Sequence, residues 1–394
     1  MSGMWRVAVV GGGIGGLAAA IAMRRAGLAV EVYEQADHLG AAGIGMHVGP
    51  NASRLLHRWG LLAPLTAVAT RPVALEVRHW QDGRVFARQE MGSAWEAQFG
   101  APYYTLSRSD LHRILVEQVP AEHIHLGRRL AGFTEYSGGV QLDFADGGGA
   151  HADILIGADG IHSVVRSAVA GPDEAVLSRS SALRGLARLD RLPTVPRDTM
   201  FLWAGPQARL LCYPVDAGRR LTVVAVVPDA GSTVESWDSP ATHPELVAAF
   251  ADWDPTVRAI VGAVEGVRRW TLYDREPLPA WSTDRVTLLG DAAHPMLPHH
   301  GQGANQAIED AAALAICLAQ AWAATDGTAV ALRRYESVRR AHTARVQLGS
   351  RASGSLRIRP PEHAGRSNGA LPSLVEDVSW VMRHDVEQTL ALIP

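Results

Sequence analysis

Three glycines and one acidic residue at the start of the chain have the spacing of a dinucleotide-binding turn. Gly11, Gly13 and Gly16 form a G-x-G-x-x-G pattern directly after the apolar run at residues 7–10. In such a turn the first glycine permits a sharp bend, the second lets the backbone approach a pyrophosphate, and the third lets helix and strand pack closely. Glu34 ends the next apolar run and is placed to accept hydrogen bonds from a ribose hydroxyl. The pattern predicts a bound dinucleotide without specifying which one.

Two aspartates farther along the chain each follow an apolar, strand-like run and precede a helical segment. Asp159 stands in the sequence ILIGADG, which continues as IHSVVR, and Asp291 stands in VTLLGDAAHP. A glycine-rich loop after Asp291 opens a helix, and the N–H groups at a helix N-terminus can be directed at an anion.

The elements that must position these residues are a βαβ unit, a sheet of short strands and C-terminal helices. The runs on either side of the glycine motif predict a strand, a helix and a second strand. Residues 73–102, which contain an Asp-Gly hairpin signal, and residues 176–276 have strand-like patterns, and we expect them to form one antiparallel sheet. Residues 303–347 have helical periodicity, and residues 352–372 predict a loop before a last short helix.

Taken together and in this order, the three motifs resemble those of the class A FAD-dependent aromatic monooxygenases. That family carries a G-x-G-x-x-G, an ADGxxSxVR motif, and a G-D motif followed by H-P and a glycine-rich helix start. The resemblance implies an α/β fold with a Rossmann-like FAD-binding domain of the glutathione-reductase type, an inserted antiparallel β-sheet substrate domain and C-terminal helices, as in p-hydroxybenzoate hydroxylase. The expected ranges are 1–72, 103–175 and 277–345 for the FAD-binding domain, 73–102 and 176–276 for the substrate domain, and 346–394 for a C-terminal helical segment.

The resemblance also implies the cofactors and the residues that bind them. FAD would be held by a single Rossmann unit, and NADH or NADPH would be a co-substrate without a nucleotide-binding domain of its own. At matching positions, Glu34 would hold the adenosine ribose, Asp291 the ribityl chain, and Asp159 would be linked to both FAD and NAD(P)H. Arg108 matches an arginine that contacts phosphate or ribityl oxygens. Gly303, Ala304 and Asn305 would place a helix N-terminus near N1 and C2=O of the flavin.

Within the family, the segments around His47 and Arg108 are most similar to salicylate, 3-hydroxybenzoate and 6-hydroxynicotinate hydroxylases. A base that removes the proton of a phenol, whose pKa is near 10, makes the ring a better nucleophile. His47 is the first candidate base, His299 is the alternate, and Tyr213 is expected to orient the substrate hydroxyl. Those hydroxylases have a histidine where this chain has Arg209, which we expect to hold a substrate carboxylate, although a surface arginine is an equally good interpretation.

The activity implied is hydroxylation of a small phenolic or hydroxypyridine aromatic that carries a carboxylate. The resemblance implies that NAD(P)H and O2 are consumed, that C4a-hydroperoxyflavin transfers the oxygen, and that CO2 is either lost or retained. An alternative with the same fold is an FAD-dependent reductase that saturates isoprenoid double bonds without O2. The motifs leave open the substrate, the choice of NADH or NADPH, and which of the two histidines is the base.

Composition excludes several other classes of protein. All 37 residues counted as lysine plus arginine are arginine, so lysine Schiff bases, P-loops and lysine-dependent flavin halogenases are excluded. A net charge of −3 gives no basic surface for nucleic acid or an anionic membrane. Two cysteines provide neither a disulfide framework nor a zinc site, and we expect no metal. The few cysteines suit a reducing cytoplasm, and the N-terminus has no signal-peptide or membrane-spanning pattern, so we expect a cytoplasmic protein. We also expect a monomer or a homodimer.

Overall fold

The computed structural model describes residues 4–40, 44–229, 239–355 and 378–392 of the 394-residue chain. The strands in these ranges are β1 (Arg6–Val10), β2 (Ala29–Tyr33), β3 (Gly45–Val48), β4 (Ala74–His79), β5 (Val85–Glu90), β6 (Tyr104–Ser107), β7 (Ile124–His125), β8 (Leu130–Tyr136), β9 (Gly139–Phe144), β10 (Gly149–Ala152), β11 (Ile154–Gly157), β12 (Val176–Arg188), β13 (Thr199–Ala204), β14 (Arg209–Val215), β15 (Arg220–Pro228), β16 (Ser239–Pro240), β17 (Val264–Asp274) and β18 (Val286–Leu288).

The α-helices in the same ranges are α1 (Ile14–Arg25), α2 (Pro50–Arg58), α3 (Leu62–Val68), α4 (Ser93–Phe99), α5 (Arg108–Val116), α6 (Val164–Ala170), α7 (His243–Ala249), α8 (Pro255–Gly262), α9 (Gly303–Ala323), α10 (Thr328–Ser355), α11 (Ser379–Arg383) and α12 (Val386–Ala391). The strand and the helix predicted on either side of the glycine turn are present as β1 and α1. Helix α1 begins at Ile14, three residues before the predicted start at Leu17.

A parallel sheet brings the three cofactor motifs together. Its strand order is β18-β11-β1-β2-β7, and each neighbouring pair is parallel. The strands are apolar and buried between helices, as parallel strands usually are. Because all five strands run the same way, the segments that follow β1, β2, β11 and β18 meet at one edge of the sheet. This common edge is the reason that motifs far apart in sequence form a single site.

The second sheet has eight strands in the order β16-β17-β12-β15-β14-β13-β4-β5. It joins the two strand-rich ranges as predicted, but it is not wholly antiparallel, because β4 pairs with β13 in parallel. Three helices, α4, α7 and α8, also lie within the ranges predicted as strands. Parallel pairing of two distant strands depends on where the chain returns to the sheet. Local residue patterns do not predict that position.

The two faces of this eight-stranded sheet have different neighbours. One face packs against α7 and α8 in an apolar core that contains Cys212 and Val223. The opposite face, which carries Tyr213 and Val224, packs against Tyr103 and Met382 from outside the sheet. We call this second face the inner face. Side chains alternate between the two faces along each strand, so Tyr213 and Cys212 point in opposite directions.

The C-terminal part consists of two long helices and a short helical pair. Helix α10 continues to Ser355, so residues 352–355, which were predicted to be a loop, are helical. The remainder of that predicted loop, residues 356–372, lies outside the described residues. The last short helix was predicted and is present as α11 and α12. Among the described residues, no helix is long and apolar enough to cross a membrane.

Candidate active site

A cavity of about 360 Å³ lies at the edge of the parallel sheet where β1, β2, β11 and β18 end, a volume typical of ligand-binding clefts. The residues predicted to bind a cofactor that line this cavity are Gly11, Gly13, Glu34, Arg108, Asp159, Asp291, Gly303 and Ala304. Two predicted residues, Gly16 and Asn305, do not line it.

The glycine turn is shaped so that side chains are excluded from it. Gly11 has a φ of +112°, and a Cβ on this residue would lie 2.2 Å from the carbonyl oxygen of Ala158. A Cβ on Gly16 would lie 1.9 Å from the carbonyl oxygen of Gly11, so Gly16 sets the distance between helix α1 and strand β1. Around Gly13 the space is open, and no side chain caps the N-terminus of α1. The turn therefore leaves room and backbone donors for a pyrophosphate, which is what FAD requires.

Carboxylates and arginines both line the cavity. Glu34 accepts hydrogen bonds from the backbone N–H groups of Gly12 at 2.6 Å and Ala36 at 2.9 Å, which fixes the carboxylate at the end of β2. Asp159 accepts from the hydroxyl of Ser163 and the N–H of Val164, and burial raises the pKa of Asp159 above its ordinary value. These hydrogen bonds orient both carboxylates before any ligand arrives.

Two arginines that the sequence reasoning missed, Arg128 and Arg129, line the cavity with Arg108. They follow the short strand β7, and an Arg-Arg pair has no motif of its own that would single it out. Guanidinium groups bind phosphate oxygens well because of their charge and planar set of donors. The cavity thus combines two helix N-termini, an arginine cluster and oriented carboxylates, and these features fit a dinucleotide such as FAD.

His47 and Tyr213, two of the three predicted catalytic residues, are in contact. Their ring centroids lie 4.2 Å apart, and the Tyr213 hydroxyl donates a 2.7 Å hydrogen bond to the carbonyl oxygen of Gly45. Nδ1 of His47 lies 2.5 Å from the hydroxyl of Tyr103, a residue that the sequence reasoning did not single out. Burial, and next the charge of Arg184, lower the pKa of His47 to about 3. His47 is therefore a neutral imidazole near neutral pH.

His299, the alternate base, lies beside Arg209 rather than beside His47. Nη2 of Arg209 is 3.0 Å from Nδ1 of His299, and Arg209 also donates to the carbonyl oxygens of Ser353 and Gly354 in α10. Burial and the charge of Arg209 lower the pKa of His299 to about 3. Arg209 thus belongs to a polar cluster with α10, and several of its donors are already engaged.

Asn305 connects the start of α9 with strand β3. Its side-chain oxygen accepts from the N–H of Gly49 at 2.8 Å, and its nitrogen donates to the carbonyl oxygens of His47 and Gly301. Because it bonds to the backbone on both sides of Val48, Asn305 holds His47 at a fixed distance from the helix N-terminus. Its contacts are with the segment that carries the candidate base.

A buried ionic network lies deeper along α9. Arg339 on α10 donates to Glu309 and Asp310, each at 2.7 Å, and all three side chains are fully buried. Burial alone would raise the pKa of Glu309, but Arg339 and His384 lower it to about 2. Glu309, His342 and His384 bring potential metal ligands within 4.8 Å of one another. The guanidinium of Arg339 already neutralises that carboxylate, so we interpret the cluster as a structural network.

The fold and the cavity define a dinucleotide-binding protein of the Rossmann type. Residues 4–349 match the family model described as an FAD binding domain, and the chain belongs to that family. A 3-amino-4-hydroxybenzoate 2-monooxygenase of Streptomyces platensis is 43% identical over 352 residues, which cover 89% of this chain and 87% of the relative. The 6-hydroxynicotinate 3-monooxygenase of Pseudomonas fluorescens is 36% identical, with 98% and 96% covered.

Solved structures lead to the same class of enzyme. A salicylate hydroxylase in complex with its substrate is 28% identical and has a TM-score of 0.82. The match covers 100% of this chain and 99% of that chain. HpxO of Klebsiella pneumoniae, in complex with FAD and uric acid, is 27% identical with a TM-score of 0.83, over 98% of this chain and 95% of that one. The predictions of fold class, enzyme class and FAD as cofactor are confirmed: this is an FAD-dependent aromatic monooxygenase that uses NAD(P)H and O2. The reductase alternative does not agree with these relatives, which are monooxygenases and hydroxylases.

Proposed function

We propose that the enzyme hydroxylates a small phenol or hydroxypyridine that carries a ring carboxylate. The main support is that the relatives named above act on 3-amino-4-hydroxybenzoate and 6-hydroxynicotinate, both of which combine a ring hydroxyl with a carboxylate. The inner face of the eight-stranded sheet agrees with such a ligand, since it carries Arg209 and Tyr213 in an apolar surrounding, and the candidate histidines lie against these two residues. We propose that residues 73–102 and 176–276 contribute this substrate side of the molecule.

We propose that FAD is held in the cavity at the edge of the parallel sheet. Gly11, Gly13 and the N-terminus of α1 would receive the pyrophosphate, Glu34 the adenosine ribose, and Asp291 the ribityl chain. Arg108 would add positive charge beside them, and Asp159 would stand near both FAD and NAD(P)H. When bound, FAD takes electrons from NAD(P)H and supplies the activated oxygen. The uncapped N-terminus of α9, at Gly303 and Ala304, would favour negative charge on the reduced ring.

The residues of the chain contribute to the chemistry by accepting the proton of the substrate hydroxyl. We propose that neutral His47 accepts the proton of the substrate hydroxyl while Tyr213 orients that hydroxyl. Burial, and next the charge of Arg184, lower the pKa of His47 and so oppose proton uptake. A carboxylate bound near Arg184 would offset that charge and make His47 a better base. His299 remains the alternate, at the other end of the inner face.

Oxygen uptake by the purified yellow protein with NADH or NADPH tests the proposal. Hydroxybenzoates, aminohydroxybenzoates and hydroxynicotinates form the panel, and mass spectrometry identifies the product and any release of CO2. We expect substrate-stimulated O2 consumption with one added oxygen atom in the product. Anaerobic turnover of an alkene, or no response to any carboxylated aromatic, would contradict the proposal. We further propose a cytoplasmic monomer or homodimer, which cell fractionation and light scattering can test.

The role of His47 has its own test. Replacing His47 by Gln removes the base but keeps a polar side chain beside Tyr103. We expect the hydroxylation rate to fall by about 10²–10⁴-fold, with the greatest loss at low pH, where a phenol with a pKa near 10 is protonated. The FAD content should be unchanged, because His47 does not line the cofactor cavity. If the rates and the pH profile equal those of wild type, His47 is not the base, and His299 is the favoured candidate.

A further inference from the structure

Arg184 is a half-buried arginine on the inner face. It lies on β12, opposite Val224 of β15, on the face that carries Tyr213. Its Nη2 donates to the carbonyl oxygen of Gly45 at 3.2 Å, which is the same oxygen that accepts from the Tyr213 hydroxyl. Its guanidinium carbon lies 4.1 Å from the ring centroid of Trp270. The sequence gave no reason to select Arg184, because 36 other arginines occur in the chain.

The charge of Arg184 is not compensated by any carboxylate in the described part of the chain. Its Nε is buried and makes no hydrogen bond, Nη2 donates to the carbonyl oxygen of Gly45, and the guanidinium also interacts with the Tyr213 hydroxyl. Desolvation lowers the pKa of Arg184 below its ordinary value, and the interaction with Tyr213 opposes this shift only in part. Thr222, the cross-strand partner of Tyr213, also has a buried hydroxyl oxygen without a partner. Unused donors and an unpaired cation therefore coincide at one place.

The buried arginines of the described residues are arranged differently. Arg54, Arg166, Arg275 and Arg339 are each at most 9% exposed, and each lies within 4 Å of an aspartate or glutamate oxygen. An interior charge without a counterion costs several kcal/mol, so a fold normally supplies the partner. Arg209 also lacks a carboxylate, but the carbonyl oxygens at the end of α10 accept from it. Arg184 is half-buried and has no carboxylate within 4 Å among the described residues, and an anionic ligand would compensate its charge.

We propose that Arg184 binds the carboxylate of the aromatic substrate, on the inner face beside Tyr213 and His47. The assignment rests on the proposed function, because it requires a substrate of that class. A planar guanidinium with free donors matches a carboxylate, and the Trp270 ring and the Gly45 carbonyl oxygen hold it in place. With the carboxylate at Arg184, the ring lies against Tyr213, and the apolar residues of the inner face exclude water around it. The specificity for carboxylated rings then depends on Arg184 rather than on Arg209.

Paired ligands and matched variants test the assignment. Dissociation constants for a hydroxybenzoate and for its uncharged carboxamide are measured from the change in flavin absorbance, without turnover. Arg184→Gln should reduce the preference for the carboxylate by about 10- to 100-fold, the range of a hydrogen bond to a charged group. Arg188→Gln, an exposed change on the same strand, should leave the preference at the wild-type value, and Arg209→Gln tests the competing arginine.

The possible results separate three interpretations. An unchanged carboxylate preference in Arg184→Gln, or its loss in Arg209→Gln instead, would overturn the assignment. A lower flavin midpoint potential with unchanged dissociation constants would mean that Arg184 serves the reduced flavin, and would also overturn it. If Arg184→Gln does not fold with FAD, Arg184→Lys keeps the charge but loses the planar donors, and an intermediate preference is expected. If wild type binds no carboxylated aromatic, the proposed function fails together with the assignment; if it hydroxylates one, only the Arg184 assignment is at stake.

Discussion

Replacing His47 by Gln should make the stability of the protein less sensitive to acid. The His47 pKa is about 3 in the folded protein and 6.5 in an unfolded chain. Between these two pKa values the imidazole of His47 is protonated in the unfolded state but not in the folded state. The free energy of unfolding therefore falls as the pH falls. Each pH unit below 6.5 costs about 1.4 kcal/mol, and at pH 5 the contribution of His47 amounts to roughly 2 kcal/mol. That is a substantial fraction of the 5–15 kcal/mol typical of a folded protein.

The assay is urea unfolding of the FAD-bound protein at pH 7.5 and at pH 5. Wild type should lose stability between the two pH values by about 2 kcal/mol more than His47→Gln does. His299 and His342, whose pKa values are also lowered to about 3, contribute equally to both proteins and cancel in the difference. His38→Gln, at an exposed histidine, is the control and should follow wild type. Identical pH dependence in wild type and His47→Gln would refute the claim that His47 is held neutral.

Three other substitutions test the cofactor cavity and the ionic network. Gly16→Ala brings a Cβ within 1.9 Å of the Gly11 carbonyl oxygen, so the ratio of flavin to protein absorbance should fall sharply; full flavin content would contradict the packing argument. Glu34→Ala removes the acceptor of two backbone N–H groups and the proposed ribose contact, so FAD should bind about tenfold more weakly in dialysis, and full retention counts against the role. Arg339→Met leaves Glu309 and Asp310 buried without their cation and should cost about 3–5 kcal/mol in urea unfolding, whereas a cost below 1 kcal/mol would mean that the network relaxes.

Much of the cofactor site could be predicted because its motifs are local. A glycine that needs positive φ, such as Gly11, is visible in the sequence, and so is the carboxylate that ends a strand, such as Glu34. The structure added Arg128 and Arg129, which reach the cavity only because β7 lies at the edge of the parallel sheet. It also directed the side chain of Asn305 towards His47 and Gly49, which the helix-start pattern alone did not predict.

The substrate side was harder to predict, because its residues come from separate strands. Tyr103 and His47 meet because β3 pairs with β6, and Arg184 meets Tyr213 because β14 and β12 both pair with β15. Which face of a strand is directed inward follows from register, and a shift of one residue would reverse it. The parallel pairing of β4 with β13 has the same origin and was not predicted.

The sequence by itself determined the motifs, the enzyme family and the kinds of side chain available, including the absence of lysine. It could do so because turns, strand ends and helix starts depend on residues close together in the chain. Only the tertiary structure decided that Arg184 lies on the inner face with no carboxylate beside it among the described residues, and that His47 near it is kept neutral. Burial and charge compensation depend on every element that surrounds a residue, and those elements come from all parts of the chain.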